Sequence, residues 1–286
     1  MKLKNSLILA LLSTTSFYSY SQEEIAEDTL VVEEITEVIE EETSDKVDAT
    51  FHSTRIINGH SVENLRKGVL EFRVEHRFGD LAGSKGGVQE WFGLDNSSDI
   101  RLAFEYGVTD KLMIGLGRSK GTGAPYRSLI DGFAKYRILH QDHSGMPVSL
   151  SVLGTMSYSY MKKSSDISLV SSFPKESHRL AYCAQINVAR KFGDKISLAL
   201  MPTMVHRNYV TADDANTIFA MGGALRWSMT SKFGLMLEYY HCIADDDVRQ
   251  TKDANGKNLY QNSLGVAFEW ITFGHNFTVY LTNSRG

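Results

Sequence analysis

The sequence predicts an all-β fold: a transmembrane up-and-down antiparallel barrel of about 12 strands, of which eleven can be read between Val69 and Asn283. Three observations carry this. Segments of roughly ten residues alternate apolar and polar, the period of a strand with one face in lipid. Their connections alternate between tight turns and long polar loops. The apolar face of the segments carries almost no formal charge, with Arg118 and Arg190 near strand ends as exceptions; a charge facing lipid at mid-membrane costs about 2–4 kcal/mol.

In chain order, residues 1–21 read as a secretory signal, with Lys2 and Lys4 before the apolar stretch Ser6 to Phe17 and Ser19-Tyr20-Ser21 as the cleavage site. No later uninterrupted apolar run reaches the roughly 18 residues of a membrane-spanning helix. The expected destination is the outer membrane. Residues 22–50 hold twelve acids against Lys46, which predicts a disordered periplasmic lead-in. The alternative is a docking peptide for a basic periplasmic partner. The signal carries +2 and this lead-in −11, so with the whole chain at −4 the body from 51 to 286 is mildly basic at +5.

Residues 51–68 are expected to lead into the first strand, followed by strands at 69–78, 99–107, 111–119, 131–139, 147–161, 177–192, 195–207, 217–230, 233–244, 259–273 and 275–283. In the first, Leu70, Phe72, Val74, His76 and Phe78 oppose Glu71, Arg73, Glu75 and Arg77; in the second, Ile100, Leu102, Phe104 and Tyr106 oppose Arg101, Ala103 and Glu105. The eighth sets Phe219, Met221, Leu225 and Trp227 against Arg226, and the tenth Leu264, Val266, Phe268 and Trp270 against Glu269. Val108-Thr109-Asp110, Gly193-Asp194, Ser231-Lys232 and Gly274 are tight turns, and His140 to Met146 is the one connection of medium length in that series. A ten-residue strand tilted near 40° spans roughly 25 Å, the height of an outer-membrane apolar band. Single-chain bacterial barrels close with an even number of strands. Eleven therefore implies that Thr54 to Asn58 supplies another, or that one more follows.

The inward charges are the candidate site: Arg73, Arg77, Arg101, Lys135, Arg137 and Arg226 against Glu71, Glu75, Glu105, Glu238 and Glu269. Near balance predicts pairing across and along the bore, because an unpaired charge there is costly. A structural barrel partly plugged by ion pairs and a narrow conduit for small solutes both fit. His76, His178, His206 and His241 are expected on the outward face at the outer rim, as interfacial side chains with their tips among lipid headgroups. Their sharper alternative is a lipid-modifying enzyme, with Ser177 beside His178, although a Ser-His dipeptide is a weak triad signal. Cys183 and Cys242 face inward, either as buried thiols or as a bridge across the bore.

No cofactor, catalytic residue or metal site is expected. His140-x-x-His143 lacks a third ligand. Asp245-Asp246-Asp247 and Asp253-Ala254-Asn255-Gly256 lack the closing glutamate of a calcium loop, and Gly115-x-Gly117 has no strand-helix unit behind it. Basic residues are spread over the strands with no stripe for nucleic acid. The expected partners are outer-membrane lipid, a periplasmic protein for the acidic tail, or another envelope protein for which the barrel is a scaffold.

The runs Thr54 to His60 (TRIINGH), Lys67 to Arg73 (KGVLEFR), His76 to Gly79, Ile100 to Gly117, Asp131 to Tyr136 and Thr282 to Gly286 resemble an uncharacterised membrane-bound β-barrel family of didermic bacteria, classed only as a domain of unknown function. The resemblance covers about residues 51 to 286 and is more specific in its first half. It implies an outer-membrane barrel with a further strand after Thr-Asn-Ser-Arg-Gly, and it brings no catalytic residues.

Overall fold

A computed structural model describes residues 45–82, 86–95, 99–121, 123–245, 248 and 260–284. Eleven strands follow one another as β1 (Leu70–Arg77), β2 (Asp99–Gly107), β3 (Leu112–Lys120), β4 (Ser128–Leu139), β5 (Ser149–Ser159), β6 (Leu180–Phe192), β7 (Ile196–Arg207), β8 (Thr217–Ser228), β9 (Phe233–Ile243), β10 (Ser263–Thr272) and β11 (His275–Thr282). Each pairs antiparallel with the next, and the sheet order equals the sequence order. This is an up-and-down barrel wall. Among the described residues no helix is long and apolar enough to cross a membrane, which says nothing of crossing by strands.

The strands form where the period-two pattern predicts them because successive side chains alternate between two different surroundings. On β1, Leu70, Phe72 and Val74 are exposed while Glu71, Arg73 and Glu75 are half-buried; on β10, Leu264, Val266, Phe268 and Trp270 are exposed while Gly265, Ala267 and Glu269 are buried. The outside is therefore apolar and the inside is shielded. Near the tight-turn end the outer rings meet, Trp270 with Phe277 at 5.6 Å and Phe233 with Phe268 at 5.6 Å, forming part of an aromatic belt. Gly193 and Gly274 turn with φ of 56° and 81°, a region that favours glycine.

The expectations for the N-terminal segment and for the sixth strand need correction. Among the described residues Thr54 to Asn58 joins no wall strand, and its bridge is Arg55 to His60, within the N-terminal segment itself. That segment, expected to be a simple leader, occupies the inside of the wall. The sixth strand starts at Leu180 rather than 177, because Glu176–Arg179 forms a 3-10 turn. Of the lead-in 22–50, only residues 45–50 are among those described, and Val47 and Thr50 are buried.

Candidate functional site: the filled bore

Residues 45–67 climb the bore, turn and descend. At the tight-turn end Lys46 bridges to Asp142, while the Val47 amide donates to the Gln141 carbonyl at 2.9 Å and the His143 amide to the Asp45 carbonyl at 2.9 Å. The medium-length turn 140–146 thus forms the seat for this segment. Asp142 accepts the amides of Gly145 and Met146 at 2.7 and 2.8 Å, which holds its carboxyl below the usual range. His140 contacts the Val47 carbonyl at 3.2 Å. Among the described residues no group of three or more His, Cys, Asp and Glu side chains is placed to hold a metal.

Asn58-Gly59 makes the hairpin tip, a residue pair suited to tight turns, with the Ile56 amide on the Gly59 carbonyl at 2.9 Å and Ser61 on Thr54 at 3.0 Å. The tip lies toward the long-loop end, where the Asn58 side chain meets Ser263 and Thr282 at 3.3 and 3.4 Å and accepts from Arg77 at 3.2 Å. A side chain at Gly59 would collide with the Tyr240 hydroxyl. On the way down, Asn64 donates to the Lys111 carbonyl at 2.6 Å, back at the tight-turn end.

Two wall charges hold the hairpin by its backbone. Glu238, 0% exposed, accepts the amides of Ile57, Asn58 and Gly59 at 3.2, 2.8 and 3.0 Å. Lys135, also 0% exposed, donates to the carbonyls of Thr54 and Ser61 at 3.2 Å each. Backbone groups at a tight turn lack ladder partners, and burying them unsatisfied costs roughly 1–3 kcal/mol each. A carboxylate for the amides and an ammonium for the carbonyls remove that cost.

The other predicted charges make short-range pairs. Arg73 lies 2.5 Å from Glu71 and 3.4 Å from Glu105; Arg101 lies 3.0 Å from Glu75 and 2.6 Å from Asp131; Arg226 lies 2.7 Å from Glu269. Arg137 turns to Glu63 of the hairpin at 3.1 Å, and Arg77 donates to the Ser284 carbonyl at 3.2 Å. Sequence reasoning missed Asp131, Glu63 and Arg55, the last lying 3.7 Å from Glu75. Glu63 also accepts the Thr50 amide at 2.8 Å, tying the two limbs of the hairpin together.

Opposite this charged wall lies an apolar one. Phe51, Ile56, Ile57 and Val62 of the hairpin form one buried cluster with Ala189, Ala199, Met201, Ala224, Met236 and Ala267 of β6 to β10. Alanine on the wall leaves room for the hairpin's larger side chains. A second cluster joins Met113, Phe133 and Leu153, with Leu65 against it. No disulfide joins Cys183 and Cys242.

The four histidines fall in four places. His76 is on β1 and His241 on β9, strands that share no ladder. His206 on β7 contacts the Thr217 hydroxyl at 2.8 Å. His178 lies in the 3-10 turn rather than on a strand and stacks on Tyr209 at 4.4 Å. The Ser177 carbonyl beside it accepts from Asn208 at 2.7 Å.

A wall of antiparallel strands, apolar outside and folded around its own N-terminal segment, defines a membrane β-barrel. A family profile described as "Membrane bound beta barrel domain (DUF5777)", a domain of unknown function, matches residues 51–286, and the chain belongs to that family. Among solved structures, the NanC porin in a rhombohedral crystal form is similar at a TM-score of 0.47 and 9% identity, over 64% of this chain and 79% of that one. The comparison with curated proteins gave no match.

Proposed function

We propose that this protein is an outer-membrane barrel of structural type, closed by its own N-terminal hairpin and non-conducting at rest. The supporting observation is the hydrophobic core inside the bore. An open aqueous pore is lined by polar side chains, whereas here β6 to β10 present alanine and methionine to four large apolar groups of the hairpin. Fully burying each such group is worth about 1.5–3 kcal/mol, so expelling the hairpin is unfavourable by something on the order of 10 kcal/mol. The tight turns face the periplasm and the long loops the exterior, consistent with the signal-like start and the sorting of loop lengths.

Planar-bilayer recording of the full chain is the test. A silent bilayer is expected, and discrete conductance steps from the intact protein would overturn this reading. The charged wall of β1, β2 and β4 favours a second one, a small-solute conduit that the hairpin shuts. Deleting residues 45–66 distinguishes them: a barrel that keeps its heat-modifiable mobility and now conducts supports the conduit, and one that stays silent removes it. The acidic segment preceding Asp45 then serves as bait for a basic periplasmic protein. A deletion ending at residue 44 should abolish its capture while leaving the seat of the hairpin intact.

A further inference from the structure

The long-loop end of the barrel is not uniform in charge. Around β3 to β6, Arg118 and Lys120 end β3 on its outward face, Arg127 lies in the following loop, and Lys162, Lys163 and Lys175 lie in the loop between β5 and β6; all six are exposed. This sector is one continuous surface. Ser159 donates to the Pro125 carbonyl at 2.7 Å, joining the two loops, and the Arg118 guanidinium lies 5.4 Å over the Tyr160 ring. Its two acids are engaged within it: Asp166 accepts the amide and hydroxyl of Ser168 at 2.9 and 2.6 Å, and Glu176 meets Arg179 at 3.1 Å and the Tyr158 hydroxyl at 3.0 Å. The approach to β2 is of opposite character, with Asp80, Glu90 and Asp95 before the strand and Asp99 as its first residue.

The β5–β6 loop is also folded rather than splayed. Phe173 is 2% exposed beneath Arg179, whose guanidinium lies 4.6 Å from the ring and donates to the carbonyls of Ser159 and Met161 at 2.9 Å each. The Ser164 amide closes onto the Ser171 carbonyl at 2.9 Å. Held in this way, the loop presents Ile167 at 84% exposure and Leu169 at 49% among its lysines. Apolar side chains at the level of lysines and tyrosines, beside a lipid-facing wall, are what a headgroup interface selects.

We propose that this sector binds net-anionic, phosphate-bearing lipid headgroups, with Arg118, Lys162, Lys163 and Lys175 meeting the phosphates and Ile167 and Leu169 entering the acyl boundary. The proposal rests on the barrel reading above. Each cation near an anionic surface is worth about 1 kcal/mol, so removing four weakens binding by at least about tenfold.

The test uses the full chain in dodecyl maltoside micelles, titrated with phosphatidylglycerol, phosphatidylcholine or inorganic phosphate, with bound molecules counted by native mass spectrometry. The wild type should prefer phosphatidylglycerol over phosphatidylcholine by about tenfold or more. Combined Arg118→Ala, Lys162→Ala, Lys163→Ala and Lys175→Ala should abolish the preference. Ile167→Asn with Leu169→Asn should weaken both lipids and leave the preference in place. A quadruple variant that keeps the preference overturns the proposal, as does inorganic phosphate displacing phosphatidylglycerol at equal concentration, which would mark a free-anion site. Loss of heat-modifiable mobility in the wild type would instead count against the barrel itself.

Discussion

The two halves of the bore hold the same hairpin by different means. Along β1, β2 and β4 the wall presents ion pairs and the buried Lys135; along β6 to β10 it presents alanine and methionine to the hairpin, with the buried carboxylate of Glu238 at its tip and one buried ion pair, Arg226 with Glu269, within the wall. The apolar half supplies adhesion, because burying hydrocarbon is favourable whatever the angle of approach. The charged half supplies register, because Lys135 fits only where two carbonyls converge. Buried ion pairs contribute little net stability once desolvation is counted. The hairpin is therefore held mainly by its apolar side and aligned by its polar one.

The largest expected effect is on the apolar side. Phe51→Ala, at a side chain 1% exposed, should lower the stability of the docked hairpin by about 3–5 kcal/mol, read as lost hydrogen-exchange protection at the Ser61 amide. Glu238→Gln keeps the shape but weakens three hydrogen bonds to a charged acceptor, and a loss of about 1.5–3 kcal/mol is expected by the same readout at Ile57 and Gly59. Lys135→Met should cost about 1–2 kcal/mol, since it forfeits two hydrogen bonds while removing a desolvated charge. If Lys135→Met proved more damaging than Phe51→Ala, the ranking of the two halves would be reversed.

The smallest effect concerns pH at the seat of the hairpin. Burial, followed by the nearby Arg137, pushes His140 below its ordinary value of 6.5, so the docked form favours the neutral ring. The unfolded state therefore gains protons first as pH falls. Docking should be fully stabilised above pH 6.5 and weaken below it, and His140→Gln should remove that part of the dependence. Exchange of the Val47 amide between pH 7.5 and 5.5 measures it, and an identical profile in wild type and variant would show that His140 has no part in the seat.

Most of the wall was legible in the sequence because each strand borders two unlike surroundings. The expected ranges fall within a few residues of the strands, and Arg226 and Glu269 are identifiable as inward from alternation alone. The hairpin was not legible. Buried on all sides, Val47, Phe51, Ile56, Ile57 and Val62 follow neither strand nor helix period, and they sit in a stretch that otherwise resembles a linker. Three signals were present: Asn58-Gly59 between apolar residues, the unusual length of 140–146, and the small inward residues Ala189, Ala199, Ala224 and Ala267. Alanine on a strand's inner face reads as filler until something is known to lie against it. His178 was misplaced because the strand pattern was extended through Ser177, where the chain makes a 3-10 turn.

The margins of the wall meet differently from its interior. β1 and β11 run in the same direction, and among the described residues no ladder joins them. The two margins are linked instead by side chains: Arg77 reaches the Ser284 carbonyl and lies 5.7 Å from the Tyr280 ring, while Asn58 touches both Arg77 and Thr282. The hairpin tip therefore acts as a clasp between these two staves, so that drawing the stopper out would also loosen the seam.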